Sequence, residues 1–341
     1  MTPIKVLFKW IVPSSLKAYL QSNLSRLSNL KLIFPKDVSE ENLLNLAREA
    51  DVIVGWRPTE TLLEHAENLL VFINPGVGVQ HLIPMFQIFS QKRNITLING
   101  HGNTFFTAQH AVGLLLSLTN YIIPHHEWMK QGKWRTGDSE AKSIPLRNKT
   151  IGFLGYGHIN QQVHQLLSNF PVKFAALRRF WNSPIFFEDI PLEIEHFTPL
   201  QIDKFLEITD FLIIAVPLTK QTRNLIREKE LNLLGEQSFL INISRGPIVN
   251  EKDLYLALKH KKIAGAAIDV WYEYQPEPDS QNRKFPYHYP FHDLQNVILS
   301  PHRAASPFDD LQRWDEVIEN LKRISVGRKD LKNIVDLERE Y

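Results

Sequence analysis

The sequence predicts an α/β protein that folds into two doubly wound parallel-sheet domains. Short β-branched apolar runs alternate with segments of helical period along the chain, which is the pattern of parallel strands covered by helices on both faces. The alternation falls into two series, and 341 residues at roughly 150 residues per domain suggest about two domains. With 43% apolar and 22% charged residues, the composition is that of an ordinary folded protein and excludes a largely disordered chain.

The first series occupies the N-terminal part of the chain. Its predicted strands are Ile4–Val12, Lys31–Phe34, Asp51–Val54, Leu69–Ile73 and Ile95–Ile98. Helical segments lie between them, and Ser14, Ser39 and Thr59 are N-cap candidates because their side chains can accept a hydrogen bond from a free backbone N–H. We therefore expect a parallel sheet in this part of the chain.

A second series begins at Thr150. Its predicted strands are Thr150–Leu154, Val172–Leu177, Phe211–Val216, Phe239–Ile243, Ala264–Ile268 and Val297–Leu299. A long apolar helix at about Phe105 to Ile123 joins the two series and is followed by a polar stretch, His125–Arg147, that we predict to be a linker. The segment Trp271–Asp293 is aromatic, rich in proline and irregular, and loops of that length are more often functional than structural.

Charge and residue usage exclude several classes of partner. The 39 basic and 37 acidic side chains give a net charge of +2 without a block of like charges, so we expect no nucleic-acid partner and no membrane partner. The absence of cysteine excludes disulfides, thiolate metal sites and a cysteine nucleophile, and it favours a cytoplasmic location. His125–His126 and the pair His288 and His292 lack acidic companions at suitable spacing, so we expect no metal.

A glycine-rich turn predicts a dinucleotide site. Residues Ile151–Asn160 read IGFLGYGHIN and lead from a predicted strand into a helical segment. Gly155 permits the tight turn, and Gly157 lets the backbone approach a pyrophosphate at the helix N-terminus. Asn160 stands where a third glycine is expected, which weakens the motif without removing the phosphate site. The residues predicted to bind the cofactor here are Gly155, Tyr156, Gly157, His158 and Ile159.

The end of the next predicted strand indicates which nucleotide is bound. An NAD site has a carboxylate there for the ribose hydroxyls, but the strand Val172–Leu177 ends in Arg178 and Arg179, and no acid follows before Glu188. A guanidinium attracts a 2′-phosphate, which a carboxylate would repel. We therefore predict that NADP(H) is preferred over NAD(H).

Four further segments place polar residues just past the carboxyl ends of predicted strands, where open α/β sheets bind ligands. They read DFLIIAVPLTKQTRNLI, LINISRGPIVNE, AIDVWYEYQPEP and LSPHRAA, beginning at Asp210, Leu240, Ala267 and Leu299. In these segments, and in NPGVG at Asn74–Gly78, the chain resembles the D-isomer-specific 2-hydroxyacid dehydrogenase family. The shared order and spacing of the motifs along nearly the whole chain carry the resemblance.

The resemblance implies roles for the matched residues. Arg245 would orient the carboxylate and keto oxygen of a substrate, and His302 would protonate the carbonyl oxygen during reduction and act as the base in reverse. Backbone N–H groups of Val77 and Gly78 would receive the substrate carboxylate. Asn103 would lie near the substrate, as in the related formate dehydrogenases. Further residues expected to bind the cofactor are Val216, Pro217, Thr222, Ile243, Ser244, Asp269 and Ala304.

One position departs from the family's pattern. The family pairs its histidine with a glutamate five residues beyond the aspartate of the D-V pair, and Tyr274 occupies that position here. Glu273, Gln275 or Glu277 could take the role, and we prefer Glu273 as the third catalytic residue. A neutral partner would leave the pKa of the histidine nearer its ordinary value of about 6.5.

The resemblance also implies the architecture and the activity. A Rossmann cofactor domain, residues 102–304, would be inserted into a flavodoxin-like substrate domain formed by residues 1–101 plus 305–341. We predict an oxidoreductase that transfers hydride between NADP(H) and a small 2-keto or 2-hydroxy acid, D-specific and favouring reduction, with glyoxylate and hydroxypyruvate as typical substrates. The same resemblance implies a homodimer formed through the region Phe105–Ile123.

Two alternative functions remain open. Gln275-Pro276 and Asn103 are similar to features of formate dehydrogenases, so oxidation of formate is the first alternative. Asn160 and the altered glutamate position motivate the second, a catalytically weak NADP(H)-sensing protein like the transcriptional co-repressors of the family.

Overall fold

The computed structural model describes residues 3–135, 143–182, 193–305 and 309–341. The chain divides into two compact units, residues 1–103 with 307–341, and residues 104–306. The limits expected from the sequence, 101/102 and 304/305, lie two residues before these divisions.

The first unit is built on a five-stranded parallel sheet with strand order β2-β1-β3-β4-β5, which is the flavodoxin-like order. Its strands are β1 (Ile4–Phe8), β2 (Leu30–Ile33), β3 (Val52–Val54), β4 (Val71–Asn74) and β5 (Thr96–Asn99). Its first helices are α1 (Ser14–Leu24), α2 (Glu40–Ala47), α3 (Glu60–His65) and α4 (Ile83–Lys92). Of the three predicted N-caps, Ser39 and Thr59 occupy the N-cap position, and only Thr59 also caps with its side chain, accepting from the Leu62 N–H at 3.1 Å. The N-cap of α1 is Pro13 rather than Ser14.

The C-terminal segment completes this first unit. Its helix, Asp315–Ser325, buries Val317, Ile318 and Leu321 in the same hydrophobic core as α1. Beyond the helix, Ile334 pairs antiparallel with Ile98 of β5. The predicted return of the C-terminal tail to the N-terminal sheet therefore has a physical basis in both core packing and backbone pairing.

The second unit is a seven-stranded parallel sheet with strand order β12-β11-β10-β9-β6-β7-β8, the Rossmann arrangement with one further strand. Its strands are β6 (Thr150–Leu154), β7 (Lys173–Leu177), β8 (Glu195–Phe197), β9 (Phe211–Ile214), β10 (Phe239–Asn242), β11 (Gly265–Ile268) and β12 (Val297–Leu299). Its helices are α5 (Thr104–Thr119), α6 (Ile122–Lys130), α7 (His158–Leu167), α8 (Ile202–Glu207), α9 (Glu228–Leu234) and α10 (Glu251–Lys259). Every residue of β9, β10 and β11 is buried, as expected for strands covered on both faces.

Three local predictions were wrong. The expected single helix Phe105–Ile123 is broken after Thr119, because Tyr121 adopts the left-handed conformation with φ of 53°. The segment His125–Arg147, predicted as a linker, begins inside helix α6. Strand β8 was not predicted, because its three residues include Glu195 and His196 and show no apolar run.

No helix within the described ranges is both long enough and apolar enough to cross a bilayer.

Candidate active site

The candidate site lies at the carboxyl edge of the second unit's sheet. Because β6, β9, β10, β11 and β12 are parallel, the residues that follow them emerge at the same edge. The predicted functional residues that directly follow these strands are Gly155, Val216, Pro217, Ile243, Ser244, Arg245, Asp269 and His302. The fold thus brings the predicted cofactor turn and the predicted catalytic residues to one edge of one sheet.

The turn after β6 has the backbone geometry of a phosphate site. Gly155 has φ of +86°, and a Cβ at this position would lie 2.6 Å from the Cγ1 of Val216, so only glycine fits. A Cβ on Gly157 would meet nothing within 4 Å, which leaves open space directly before α7. The N-cap of α7 is Gly157, which provides no side-chain cap, and a helix N-terminus attracts an anion through its backbone N–H groups and its dipole. These residues fit the pyrophosphate of a dinucleotide.

Asn160 explains how the turn tolerates the missing third glycine. The side chain is fully buried, and its Nδ2 donates to the carbonyl oxygens of Gly155 at 2.6 Å and Ile213 at 3.2 Å. One amide group therefore ties the phosphate turn to the adjacent strand β9. The departure from the glycine fingerprint replaces close helix–strand packing with a hydrogen-bonded brace.

Replacing Asn160 by alanine is expected to lower the free energy of unfolding by about 1–3 kcal/mol, because two buried carbonyl groups lose their donor. Equilibrium urea unfolding measures the change. The matched control is Gln165→Ala on the same helix, where the bond lost is the half-buried side-chain pair with Gln162, and a change within about 0.5 kcal/mol is expected. Equal effects of the two substitutions would show that Asn160 is not a brace.

Tyr156 contributes its backbone rather than its ring to the turn. Its hydroxyl lies 2.7 Å from Nδ1 of His164, and both side chains are buried beneath the turn. Burial raises the pKa of Tyr156 to about 12 and lowers the pKa of His164 to about 4, so both groups are neutral at physiological pH. His158 and Ile159 form the first residues of α7.

Arg178 and Arg179 follow β7 directly, as predicted. Both are half-buried. The guanidinium of Arg178 lies 5.7 Å from the ring centre of Trp181, and Arg179 donates to the side-chain oxygen of Gln221. Two cationic groups thus stand at the end of the strand that follows the phosphate turn.

The remaining predicted cofactor residues shape the edge around this turn. The carbonyl of Val216 accepts from the hydroxyl of Ser244, which joins the loops after β9 and β10. Thr222 donates to the carbonyl of Pro217 at 2.6 Å and accepts from Thr219 N–H at 2.8 Å, which closes the loop after β9. Ile243 and Ala304 are buried beside these loops.

Arg245 is held in a turn that requires the glycine after it. A Cβ on Gly246 would collide with the backbone carbonyl of Trp271. The Nη1 of Arg245 donates to the Ser244 carbonyl at 2.6 Å, and Asn242 Nδ2 donates to the Arg245 carbonyl at 3.1 Å. Burial lowers the pKa of Arg245 from 12.5, but a guanidinium stays charged at neutral pH. The loop after β10 therefore presents a fixed, planar cation.

Asp269 clamps the loop that carries His302. Its buried carboxylate accepts from the hydroxyl of Ser300, from the N–H of Arg303 at 2.7 Å and from the N–H of Ala304 at 3.1 Å, and it pairs with His110 at 3.5 Å. Burial by itself would raise the pKa of Asp269, but these donors outweigh it and hold the pKa below 3.8. The carboxylate is therefore an anion that fixes the backbone on both sides of the loop.

His302 adopts a conformation that few residues other than glycine adopt. Its φ is 57°, in the left-handed region, and the Asp269 contacts hold the loop in that state. Partial removal from water lowers the pKa of His302 below 6.5, Arg245 and Arg303 lower it further, and Asp269 raises it. The observed backbone strain at a titratable residue is typical of functional sites.

The partner of His302 in the structure is Tyr274, and the preferred choice of Glu273 was wrong. The Tyr274 hydroxyl lies 2.9 Å from Nδ1 of His302. The carboxylate of Glu273 instead accepts from the backbone N–H of Gln275 at 2.8 Å, because the loop turns it away from the histidine. A phenol therefore occupies the place where the family pattern has a carboxylate.

The predicted substrate residues Val77, Gly78 and Asn103 belong to the first unit. The loop after β4 is held by Asn74 Nδ2, which donates to the Gly76 carbonyl at 2.5 Å, and by Asn99 Nδ2, which donates to the Val77 carbonyl at 2.9 Å. Asn103 is buried at the end of the same unit. The loop of Val77 and Gly78 is therefore held by side chains of the first unit itself.

Sequence reasoning missed four residues that shape the site. Tyr274, Ser300, His110 and Asn160 hold the catalytic loop or the phosphate turn. Ser300 could have been recognised because it lies two residues before His302, directly after a strand. The contacts of the other three join distant parts of the chain or use an irregular loop, so spacing gave no signal.

Within the described ranges, no group of three or more His, Asp or Glu side chains is placed to hold a metal ion.

Comparisons with known proteins agree with this geometry. Residues 112–304 match the family model described as D-isomer specific 2-hydroxyacid dehydrogenase, NAD binding domain. A glyoxylate reductase from Thermofilum pendens is 32% identical over 82% of this chain and 79% of its own, and one from Thermococcus litoralis is 32% identical over 86% of each chain. The structure of an NADPH-dependent glyoxylate/hydroxypyruvate reductase from Sinorhizobium meliloti, in complex with NADP and malonate, is similar with a TM-score of 0.70 and 25% identity, covering 99% of this chain and 98% of that one.

A dinucleotide turn on a Rossmann sheet, with a fixed arginine and a strained histidine at the same edge, defines a nicotinamide-dependent oxidoreductase. The chain belongs to the D-isomer specific 2-hydroxyacid dehydrogenase family. It is an enzyme that acts on the CH–OH group of 2-hydroxy acids.

Proposed function

We propose that the protein is an NADPH-dependent reductase of small 2-keto acids, with glyoxylate and hydroxypyruvate as substrates and D-2-hydroxy acids as products. The observation that carries this proposal is the placement of Arg245 after β10 and His302 after β12, at the edge of the parallel sheet that also holds the phosphate turn. A cationic fork and a proton donor are the two groups that reduction of a 2-keto acid requires. The glyoxylate reductases to which the chain is similar support the substrate class.

In the proposed reaction each residue acts on a defined part of the substrate. Arg245 binds the carboxylate and the keto oxygen and polarises the carbonyl group. Bound NADPH supplies the hydride that adds to the carbonyl carbon. His302 donates a proton to the oxygen as negative charge develops there, and it accepts the proton in the reverse reaction. Val77, Gly78 and Asn103 are proposed as further substrate-binding residues.

The preference for NADP(H) is proposed from the two arginines after β7. Arg178 and Arg179 place positive charge where an NAD-specific site has a carboxylate. The NADP found in the similar reductase from Sinorhizobium meliloti supports the same choice. We assign the 2′-phosphate of the cofactor to these two side chains.

Replacing Arg178 and Arg179 together by alanine is expected to lower kcat/KM with NADPH about 10- to 150-fold and to change kcat/KM with NADH by less than about threefold. The loss corresponds to one charge-assisted contact of about 1.5–3 kcal/mol. Initial rates with each cofactor at a saturating keto-acid concentration give the ratio of kcat/KM with NADPH to kcat/KM with NADH. Lys173→Ala, at the other end of β7, is the matched control and should leave the ratio unchanged. Parallel losses with both cofactors would refute the assignment.

A substrate panel tests the proposed function directly. Oxidation of NADPH is followed with glyoxylate, hydroxypyruvate, pyruvate and a longer 2-keto acid, and reduction of NADP is followed with formate. We expect turnover with the small keto acids and none with formate. Inactivity with every keto acid, together with tight NADPH binding, would favour the NADP(H)-sensing alternative instead.

Asn160 and the Gln275-Pro276 pair are two of the sequence features that motivated the alternative functions. Asn160 acts as a brace for the phosphate turn, so it does not imply a damaged cofactor site. Tyr274, not Gln275, contacts His302, so the Gln-Pro pair does not supply a formate-like partner. The reductase therefore stays the preferred proposal.

A homodimer and a cytoplasmic location remain part of the proposal. The homodimer is supported by the exposed apolar side chains of Ile122, Ile123 and Met129 on α6.

A further inference from the structure

The contact between Tyr274 and His302 joins a loop without regular structure to the strained catalytic loop. Tyr274 lies in the irregular segment after β11, and its ring meets the imidazole edge-on, with ring centres 5.3 Å apart. Its hydroxyl is 2.9 Å from Nδ1. The phenol thus fixes the imidazole both by packing and by a hydrogen bond.

The hydrogen-bond network indicates which partner donates. The backbone N–H of Trp271 points to the Tyr274 oxygen at 3.5 Å, so that oxygen already faces a donor. With that N–H on the oxygen, the phenolic proton is placed to be donated to Nδ1, which then accepts. A neutral imidazole that accepts at Nδ1 carries its own proton on Nε2. Donation by Tyr274 would therefore hold His302 as the Nε2–H tautomer.

The charged and titratable side chains around His302 are Arg245, Arg303, Asp269 and Tyr274. Arg245 lies on the loop after β10 and Arg303 on its own loop, and both disfavour a second positive charge. Asp269, after β11, favours the imidazolium, but its carboxylate is shared with Ser300, His110 and two backbone N–H groups. Tyr274 adds no negative charge, because burial raises its pKa above 10.

We propose that Tyr274 is the positioning residue of His302, donating its phenolic proton to Nδ1 and thereby holding the imidazole as the Nε2–H tautomer in place of a carboxylate-paired imidazolium. The proposal rests on the proposed function only in naming His302 as the proton donor to the substrate. The geometry and the tautomer are properties of the free protein.

As a consequence, the reductive reaction should require a lower pH than it would if His302 were paired with a carboxylate. A hydrogen bond donated to the neutral imidazole disfavours protonation, in the same sense as the two arginines. Since the reductive reaction uses the imidazolium, kcat/KM for a keto acid should fall as pH rises through a value below 6.5. Each unit by which the pKa of His302 rises gives about a tenfold larger imidazolium fraction at pH 8.

Two substitutions at Tyr274 separate positioning from charge. Tyr274→Phe removes the donor and keeps the ring, and Tyr274→Glu supplies a carboxylate. The pKa of His302 should increase in the order wild type, Tyr274→Phe, Tyr274→Glu, with the last at least about one unit above wild type. On the acid plateau, where His302 is protonated in each variant, the phenol oxygen instead accepts from Nδ1–H. Tyr274→Phe removes this acceptor, so it should show about a 10- to 100-fold lower kcat with little change in KM for NADPH, because the ring is no longer held in place. Tyr274 is 50% exposed, so both variants are expected to fold.

The titration is measured in two independent ways. NMR of histidine-labelled protein follows the resonance that is absent from His302→Gln, and reductive kcat/KM is measured across pH in parallel. Glu273→Gln is the matched control one residue away and should leave both unchanged, because its carboxylate accepts only a loop N–H. Unchanged titration and unchanged plateau kcat in Tyr274→Phe would overturn the proposal. If NMR gave the expected order of His302 pKa values but no variant turned over a keto acid, the positioning role of Tyr274 would be supported and the proposed function would be refuted.

Discussion

Replacing His302 by glutamine is expected to lower kcat for keto-acid reduction about 10²- to 10⁴-fold, with a much smaller change in the dissociation constant for NADPH. Glutamine keeps the polar volume but cannot deliver a proton to the developing alkoxide, and this is the range that general acid catalysis supplies. Single-turnover oxidation of NADPH isolates the chemical step. The residual rate should no longer decline with rising pH, because the titrating group is gone.

The control for this substitution is His260→Gln. His260 is exposed and follows helix α10, so the variant should retain the wild-type rate and pH profile. If His302→Gln kept a rate within a few-fold of wild type, His302 would not be the proton donor. A normal NADPH affinity in the same variant would show that the loss is one of catalysis and not of folding.

Replacing Arg245 by lysine is expected to lower kcat/KM for glyoxylate about 10- to 150-fold, although the positive charge is retained. A lysine ammonium cannot make the planar two-point contact of a guanidinium, and losing one charge-assisted hydrogen bond costs about 1.5–3 kcal/mol. The fixed contacts of Arg245 with Ser244 and Asn242 mean that the wild-type fork is already oriented before substrate binds. Initial-rate kinetics over a range of glyoxylate concentrations measures the effect.

Arg303→Lys provides the matched comparison, because Arg303 is adjacent to His302 and its structural contact with Asp269 is made by the backbone. This variant should stay within about threefold of wild type. Equal losses in the two variants would mean that the site responds to positive charge in general, and the assigned role of Arg245 would be incorrect.

The sequence was sufficient to locate the edge of the sheet that carries the site. Parallel strands all end at one edge, so Arg245, Asp269 and His302 could be grouped once the strands before them were recognised. The phosphate turn was predicted for a similar reason, because Gly155 must adopt a positive φ that other residues avoid.

The partner of His302 could not be predicted in the same way. The choice between Glu273 and its neighbours depends on the path of an irregular loop, and a shift of one residue reverses which side chain faces the histidine. The sequence offered the carboxylates of Glu273 and Glu277 and the amide of Gln275, whereas the loop turns the Glu273 carboxylate onto a backbone N–H and presents Tyr274. Asn160 was similarly interpreted as a weakness of the motif, because its bond to Ile213 joins residues distant in sequence.

Local sequence patterns also failed to predict two elements of the second unit, the helix break at Tyr121 and the strand β8. The sequence before Tyr121 is apolar and helical in period, and nothing in that pattern indicates a left-handed residue. Strand β8 pairs with β7 through only three residues, of which two are exposed, so its stability comes from the neighbouring strand and not from its own apolar content. Contacts with the rest of the fold, and not the local sequence, therefore determine both the helix break and the strand.

The configuration of the product tests the central proposal most directly. The enzyme is incubated with hydroxypyruvate and NADPH, and the glycerate formed is resolved on a chiral column. Arg245 and His302, acting on one fixed orientation of the keto acid, should yield D-glycerate alone, at a rate that falls with rising pH. Formation of L-glycerate, of a racemic mixture or of no glycerate would contradict the proposed function.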